Sequence, residues 1–269
     1  MESYPEQHSD GFRLNKLKEI HAAYSRSGLD LHELAKGLLE LRPSDSLLDV
    51  GCGLGDFLID LRMQGHFGRL VGIDISAELI GEARKTAVAS GAEIDFKVYD
   101  AKSIGFNPAN FDCVTAIGLP GSVCVEKTLM EIGRVIKLDG RVVISTDSRS
   151  CFPLLEEIRN KARDRFGWIM PPSESHGLVS ENAPEILRRF FGTVEEFRYE
   201  DSIQYPDAEV LVDLFRSTPG MMSDGLSEEE WARIIDWARD QALEIIPEHG
   251  YAEDPTRFSL FRCSSPLGL

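Results

Sequence analysis

The chain has 269 residues, of which 45 are acidic and 29 are basic, so its formal net charge is −16 at pH 7. This balance disfavours a nucleic-acid partner, because affinity for nucleic acids comes largely from Lys and Arg side chains that neutralise phosphates. No apolar run approaches the ~20 residues that a membrane-spanning helix needs, and the first residues show no basic stretch followed by an apolar core. We therefore expect no membrane partner and no secretory signal.

The cysteines favour a reducing compartment. Their number is odd, none forms a Cys-x-x-Cys pair, and their spacing does not suit a metal site. This usage indicates free thiols in a cytoplasmic protein that binds no metal. The cysteines are Cys52, Cys113, Cys124, Cys151 and Cys263.

Two helices are predicted before the first strand. Apolar residues from Leu14 to Tyr24 share one helical face, and Asp30 begins a capping pattern before Leu34. Short apolar strands then alternate with helices, which indicates a doubly wound α/β fold with a parallel sheet. The predicted strands are 46–50, 70–74, 94–98, 111–117 and 141–145, and the helices between them are 56–63, 77–90 and 127–136.

The pattern is less regular after residue 147. We predict a helix at 152–166, an irregular loop at 168–184, and two more strands at 193–199 and 256–263. These two strands bring the sheet to seven. They are separated by an insert at about 200–255, which carries a helix at 207–216 and a second, amphipathic helix from Ser227.

A glycine-rich turn follows the first predicted strand, in the stretch Leu-Leu-Asp-Val-Gly-Cys-Gly-Leu-Gly-Asp-Phe. Gly51, Gly53 and Gly55 have no side chains, so backbone amides can close on a ligand and the chain can turn sharply. Asp49 precedes the first glycine by two residues, where a carboxylate can face a cationic or hydroxyl-bearing ligand. Asp74 ends the next strand and suits a grip on two ribose hydroxyls.

Two other interpretations of this turn remain open. A nicotinamide-binding site has its third glycine three residues after the second, and here that position is Asp56. A carboxylate there would compete with a pyrophosphate for the amides at the helix N-terminus. A strand–helix turn of this kind also occurs in proteins that bind nothing there.

Five segments together resemble the class I S-adenosylmethionine-dependent methyltransferases: 49–55, Asp74, 98–101, 111–114 and 138–144. The resemblance covers roughly residues 40–147, and the last 120 or so residues match only loosely. It implies S-adenosylmethionine as the cofactor and an antiparallel last strand in the sheet. We expect a single domain, 1–269, in which 1–42 form a helical lid, 43–147 bind the cofactor and 148–269 bind the acceptor.

The resemblance also implies roles for individual residues. The glycine turn lies under the methionine part of the cofactor, Asp74 holds the ribose, and Asp100 binds the adenine amino group. Ile117 and Gly118 contact the amino-acid end through backbone carbonyls, and Tyr24 belongs to the lid. The full predicted cofactor-binding set is Tyr24, Asp49, Gly51, Cys52, Gly53, Gly55, Asp74, Ile75, Asp100, Ala101, Ile117 and Gly118.

The chain lacks the Asn-Pro-Pro-Tyr-type motif of many methyltransferases that act on nucleic acid or protein. We therefore expect methyl transfer to oxygen, nitrogen or carbon of a small molecule, with His176 as the candidate general base. Glu174 and Tyr205 are further candidates. The alternatives are a non-catalytic binding or regulatory protein that keeps this fold, and a nicotinamide-dependent oxidoreductase. The protein is expected to be a monomer or a homodimer.

Overall fold

The computed structural model describes residues 10–118, 124–167, 177–217, 227–246 and 250–268. The chain divides into two compact units, which we call the sheet unit and the helical unit. The sheet unit comprises Asp30–Arg149, His176–Tyr199 and Phe258–Leu269, and the helical unit comprises Met1–Leu29, Ser150–Ser175 and Glu200–Arg257.

Helices and strands alternate through the first half of the chain, as the sequence predicts. The helices are α1 (Asp10–Tyr24), α2 (Leu31–Leu39), α3 (Asp56–Met63), α4 (Ala77–Ser90), α5 (Val125–Val135), α6 (Pro153–Phe166), α7 (Ala183–Leu187), α8 (Ala208–Ser217) and α9 (Glu228–Ile245). The strands are β1 (Leu47–Val50), β2 (Leu70–Asp74), β3 (Asp95–Val98), β4 (Phe111–Ala116), β5 (Ile136–Asp147), β6 (Phe191–Tyr205) and β7 (Ala252–Pro266).

The strands form one seven-stranded sheet in the order β3-β2-β1-β4-β5-β7-β6. Strands β1 to β5 pair in parallel, and β7 runs antiparallel to β5. The predicted fold class, a doubly wound and mostly parallel sheet with an antiparallel last strand, is therefore confirmed. Within the described ranges, no helix combines the length and apolar character needed to cross a membrane.

Both faces of the sheet are buried in the sheet unit, which is typical of parallel sheets. Successive side chains of a strand point to opposite faces. On one side, which we call the α3 face, Leu47, Cys113 and Val143 pack with Phe57 and Leu58 of α3. The opposite side, the α5 face, buries the alternate strand residues against Leu129 and Ile132 of α5. Each strand position therefore has a defined face.

Local signals set the ends of several elements. The Ser76 hydroxyl accepts a hydrogen bond from the Leu79 amide and caps α4, and Asp30 caps α2 through the amides of His32 and Glu33. The predicted bounds of α3, β2 and α4 agree with the structure at both ends.

Other boundaries differ from the prediction. The turn predicted at 138–140 lies inside β5, because Ile136 pairs with Phe111 and a register shift before Cys113 accommodates the extra residues. Strand β6 extends beyond the predicted 193–199 on both sides. It lies at the edge of the sheet, where exposed charged side chains such as Glu195 and Arg198 are usual and obscure the strand pattern. Helix α7 begins in the last two residues of the segment predicted to be irregular, 168–184, of which 168–176 fall outside the described residues.

The helical unit has its own apolar core. Helices α1, α6, α8 and α9 contribute buried side chains to one cluster, including Ile20, Ile158, Phe215 and Trp231. Helix α9 begins with a capping box, in which Ser227 and Glu230 each satisfy a backbone amide of the other.

A buried carboxylate orders the start of α6 within this unit. Asp254 is fully buried and accepts hydrogen bonds from the amides of Leu154 and Leu155, at 2.9 and 3.1 Å, and from the hydroxyl of Tyr205, at 3.0 Å. Burial raises the pKa of the Tyr205 phenol, and the adjacent Asp254 charge raises it further. Tyr205 is thus a neutral donor to a helix-capping carboxylate.

We predict that Tyr205→Phe lowers the free energy of unfolding by about 1.5–3 kcal/mol, because a hydrogen bond to a buried charged group is lost. Urea unfolding followed by circular dichroism measures the change. The matched control is Tyr251→Phe, since Tyr251 is exposed. Equal effects of the two substitutions would contradict this role of Tyr205.

Candidate functional site

The glycine turn after β1 is held in a conformation that suits glycine. Gly51, Gly53 and Gly55 have φ angles of 76°, 53° and 76°, in the left-handed region. The amides of Gly51 and Cys52 both donate to the carbonyl oxygen of Ile73, at 2.8 and 3.0 Å. The turn is thereby fixed against the end of β2.

Close packing beneath the turn leaves no space for larger residues. A Cβ atom added to Gly55 would lie 2.4 Å from Cζ of Phe96, and one added to Gly72 would lie 2.8 Å from Sγ of Cys52. Burial raises the pKa of the Cys52 thiol, and the charges of Asp49 and Asp74 raise it further, so the group stays a neutral thiol.

Asp74 connects the glycine turn to the start of α4. Its Oδ2 accepts a hydrogen bond from the Gly53 amide at 3.0 Å, and its Oδ1 accepts one from the Ser76 amide at 2.9 Å. A carboxylate has about four acceptor positions. Each oxygen of Asp74 can therefore accept a further donor, such as one of two neighbouring hydroxyls.

Asp49 is a buried acid with one side-chain hydrogen bond. It is 5% exposed, and the Thr115 hydroxyl donates to its Oδ1 at 2.7 Å. Burial raises the pKa of Asp49 to about 7, although the bond from Thr115 opposes the shift, and the nearby Asp74 charge adds to it. A cation close to this carboxyl would favour its ionised form and lower its pKa again.

The loop after β3 presents a third carboxylate. Asp100 is half-buried, accepts a hydrogen bond from the Lys102 amide at 2.9 Å and lies 3.4 Å from Nζ of Lys102. Ala101 packs partly against the core cluster of the α5 face. Ile75, directly after Asp74, is 70% exposed and leaves an apolar surface beside that carboxylate.

Beyond β4 the chain turns through Gly118, whose φ is 66°. Its amide donates to Oγ of Ser145 at 2.7 Å, which ties this loop to β5. Ile117 packs partly against the cluster of the α3 face.

Parallel register brings most of the predicted residues together. Asp49 pairs with Gly72 and Thr115, and Asp74 pairs with Val98, so the carboxyl ends of these strands form one edge of the sheet. The predicted set at this edge is Asp49, Gly51, Cys52, Gly53, Gly55, Asp74, Ile75, Asp100, Ala101, Ile117 and Gly118.

Other predicted residues are not at this edge or are not described. Tyr24 ends α1 and packs partly against the core of the helical unit. His176 and Glu174 lie outside the described residues. Within the described ranges, no group of three or more His, Cys, Asp or Glu side chains could hold a metal ion.

Sequence reasoning overlooked Thr115. Its hydroxyl donates to the buried carboxyl group of Asp49. The signal in the sequence was weak, because Thr115 is one of two polar residues in β4, the other being Asp112, and only the register between β1 and β4 places it opposite Asp49.

The chain is similar to known methyltransferases in sequence. Residues 47–140 match a family model described as a methyltransferase domain. The 2-phytyl-1,4-naphtoquinone methyltransferase of Synechococcus elongatus is 31% identical over 144 residues, covering 52% of this chain and 61% of that protein. The demethylmenaquinone methyltransferase of Lactobacillus johnsonii is 33% identical over 165 residues, covering 60% of this chain and 61% of that protein.

The chain thus spans about three fifths of the length of these curated relatives. Among solved structures, the YcgJ protein of Bacillus subtilis superimposes with a TM-score of 0.61 at 20% identity, over 86% of this chain and 96% of that one. At this level of identity the likeness concerns the fold alone.

We predict that Asp49 makes the protein less stable as the pH rises from about 4 to 7. In this window the unfolded state has lost the proton that folded Asp49 keeps, because burial raises its folded pKa to about 7. The free energy of unfolding then falls by at most about 1.4 kcal/mol per pH unit, and this component is constant above pH 7.

The Asp49→Asn variant should lack this component. Urea unfolding of wild type and Asp49→Asn between pH 4.5 and about 8 measures this component as a difference in the free energy of unfolding that changes with pH. Asp60→Asn, on the exposed side of α3, is the control. A difference between wild type and Asp49→Asn that is constant with pH would contradict the raised pKa.

Proposed function

We propose that the chain is a class I S-adenosylmethionine-dependent methyltransferase that transfers the methyl group of this cofactor to a small-molecule acceptor, since residues 47–140 match a methyltransferase domain. The observation that carries the proposal is the Asp74 carboxylate, which holds the glycine turn and the start of α4 together and still has a free acceptor position on each oxygen.

We propose that these two positions bind the two ribose hydroxyls. The backbone amides that fix the Asp74 carboxylate orient it before a ligand arrives, so little conformational freedom is lost on binding. The glycine turn, including the Cys52 backbone, would lie against the methionine part, since glycines allow the closest approach of main chain and ligand.

Asp49 would attract the positive charge of the ligand. Its carboxyl is removed from water and has one side-chain hydrogen bond, so a nearby sulfonium or ammonium group stabilises the ionised form. Burial of the carboxyl also strengthens the attraction, because the local dielectric is low.

The adenine would lie between the second and third strand ends. We propose that Asp100 accepts a hydrogen bond from the adenine amino group and that Ile75 and Ala101 contact the ring through apolar atoms. The carbonyls of Ile117 and Gly118 would accept from the ammonium group at the other end of the ligand. The lid role of Tyr24 and the general-base role of His176 stay predictions from the sequence.

Bound S-adenosylmethionine supplies a methyl group already activated by a positive sulfur. The task of the protein is then to align the acceptor with this methyl group and exclude water. Orientation of two reactants can lower a barrier by about 7–11 kcal/mol. A general base is needed only where the acceptor carries a proton at its reacting group.

The names of the two relatives suggest the chemistry of the acceptor. One is a 2-phytyl-1,4-naphtoquinone methyltransferase and the other is a demethylmenaquinone methyltransferase. We propose a planar aromatic acceptor that carries a hydroxyl group, such as a reduced naphthoquinone.

We also propose that the chain works in the cytoplasm and does not bind nucleic acid. We propose further that it forms one functional domain and is a monomer or a homodimer. The supporting observations are the net charge of −16 and five cysteines without a disulfide.

The test of cofactor binding is calorimetric titration with S-adenosylhomocysteine. Folded protein that gives no binding heat, while circular dichroism shows native secondary structure, would exclude the proposed site. A screen with S-adenosylmethionine labelled in the methyl group then tests transfer, because a non-catalytic binding protein would label no acceptor.

We predict that Asp74→Ala weakens S-adenosylhomocysteine binding by about 1–3 kcal/mol, because charge-assisted hydrogen bonds to the ribose are lost. Calorimetry measures the change in Kd, and thermal unfolding shows whether the variant still folds. The control is Asp60→Ala, an exposed carboxylate on α3. Unchanged affinity in a folded Asp74→Ala protein would mean that Asp74 does not bind the ribose.

A further inference from the structure

A row of side chains continues along the α3 face beyond Thr115. Thr115 pairs with Val143 of β5, and both Val143 and Leu260 of β7 belong to the core cluster of that face. Since alternate residues of a strand share a face, Ser145 and Asp147 project on the same side as Asp49. Asp147 is the last residue of β5, at the edge that carries the candidate site.

The carboxylate of Asp147 has no hydrogen bond or ion pair within the part of the chain that the structure describes. Its neighbours do have partners: Ser145 Oγ accepts from the Gly118 amide at 2.7 Å, and Thr146 Oγ lies 3.1 Å from Ser180 Oγ. The Asp147 backbone is fixed too, because its carbonyl accepts from the Ser180 amide at 3.0 Å. The backbone of Asp147 is therefore fixed, while its carboxylate has no partner among the described residues.

The side chain of Asp147 is exposed to solvent, but surrounding protein partly removes water from the carboxyl. This partial desolvation raises its pKa above the ordinary value of an aspartic acid. An acid of this kind binds a proton more readily than a fully solvated surface carboxylate does.

Two stacked aromatic rings lie beside Asp147. Asp147 pairs with Phe258 of β7, and directly paired residues of antiparallel strands point to the same face. The rings of Phe258 and Tyr199 are stacked, with centroids 5.3 Å apart and planes at 18°, and both residues are half-buried. They present an aromatic surface next to the carboxylate.

We propose that Asp147, Phe258 and Tyr199 form the acceptor subsite, in which a planar aromatic ring stacks on the Phe258–Tyr199 pair and its hydroxyl group donates to the Asp147 carboxylate. This inference rests on the proposed methyl transfer and assigns its acceptor side to residues of the sheet unit. Stacking selects a flat aromatic compound, and the carboxylate selects one with a hydroxyl group.

The same arrangement accounts for the proton released in the reaction. As the acceptor atom forms its bond to the methyl carbon, the carbon–sulfur bond breaks and its electron pair remains on sulfur. The hydroxyl proton of the acceptor passes to the Asp147 carboxylate and leaves from there to water. Charge is balanced, since a cationic sulfonium becomes a neutral thioether and one proton is released.

The test uses 1,4-dihydroxynaphthalene, kept reduced under anaerobic conditions, as the probe. Calorimetry measures its Kd for full-length protein saturated with S-adenosylhomocysteine. We expect Asp147→Asn and Phe258→Leu each to raise this Kd by about tenfold, because a charge-assisted hydrogen bond or a stacking partner is lost. The matched control is Asp139→Asn, an exposed acid at the other end of β5, which should leave the Kd unchanged.

Methyl incorporation from labelled S-adenosylmethionine separates binding from proton transfer. Asp147→Asn should lower kcat for the probe by roughly 100-fold or more, the usual contribution of a positioned base, and Asp147→Glu should recover part of it. Phe258→Leu should act mainly on KM. All variants should bind S-adenosylhomocysteine like wild type, which confirms that they fold.

The results distinguish the inference from the function on which it rests. If wild type does not bind S-adenosylhomocysteine, the proposed function fails and the subsite with it. If it binds S-adenosylhomocysteine but neither binds nor methylates the probe, the subsite is wrong while cofactor binding stands. The assignment would likewise be overturned if Asp147→Asn and Phe258→Leu bind and methylate the probe as Asp139→Asn does.

Discussion

The hydrogen bonds of one carboxylate, Asp74, join the two loops on which the site depends. The Gly53 amide reaches it from the turn after β1, and the Ser76 amide reaches it from the turn after β2. The three left-handed glycines allow the first loop to come this close, and the cap at Ser76 sets the start of α4. Because both loops are fixed to one side chain, the remaining acceptor positions of Asp74 have a defined direction before any ligand binds.

Electrostatics give this edge of the sheet a preference for a cation. Burial cuts Asp49 off from water and raises its pKa, and the charge of the nearby Asp74 raises the pKa of Asp49 further. An isolated protein holds Asp49 in a partly protonated state near neutral pH. A nearby sulfonium ligand opposes both causes of this raised pKa, because its positive charge stabilises the ionised carboxylate of Asp49. The same carboxylate would weaken binding of an anionic dinucleotide.

The parts of the structure that depend on local signals could be predicted from the sequence. The glycine turn, the cap at Ser76 and the strand that ends at Asp74 each reside in a few consecutive residues, and the bounds of α3, β2 and α4 agree with the structure. Strand β5 begins earlier than predicted because its start depends on pairing with Phe111. Thr115 and Asp147 acquire their surroundings only through register between strands, which single-sequence patterns do not contain. The roles of the site residues remain proposals.

The most direct test of the account is a crystal structure of the protein with S-adenosylhomocysteine bound. We predict that both ribose hydroxyls lie within hydrogen-bond distance of the Asp74 carboxylate and that the amino-acid end of the ligand lies against the turn from Gly51 to Gly55. A ligand bound at another edge of the sheet, or one whose ribose makes no contact with Asp74, would contradict it.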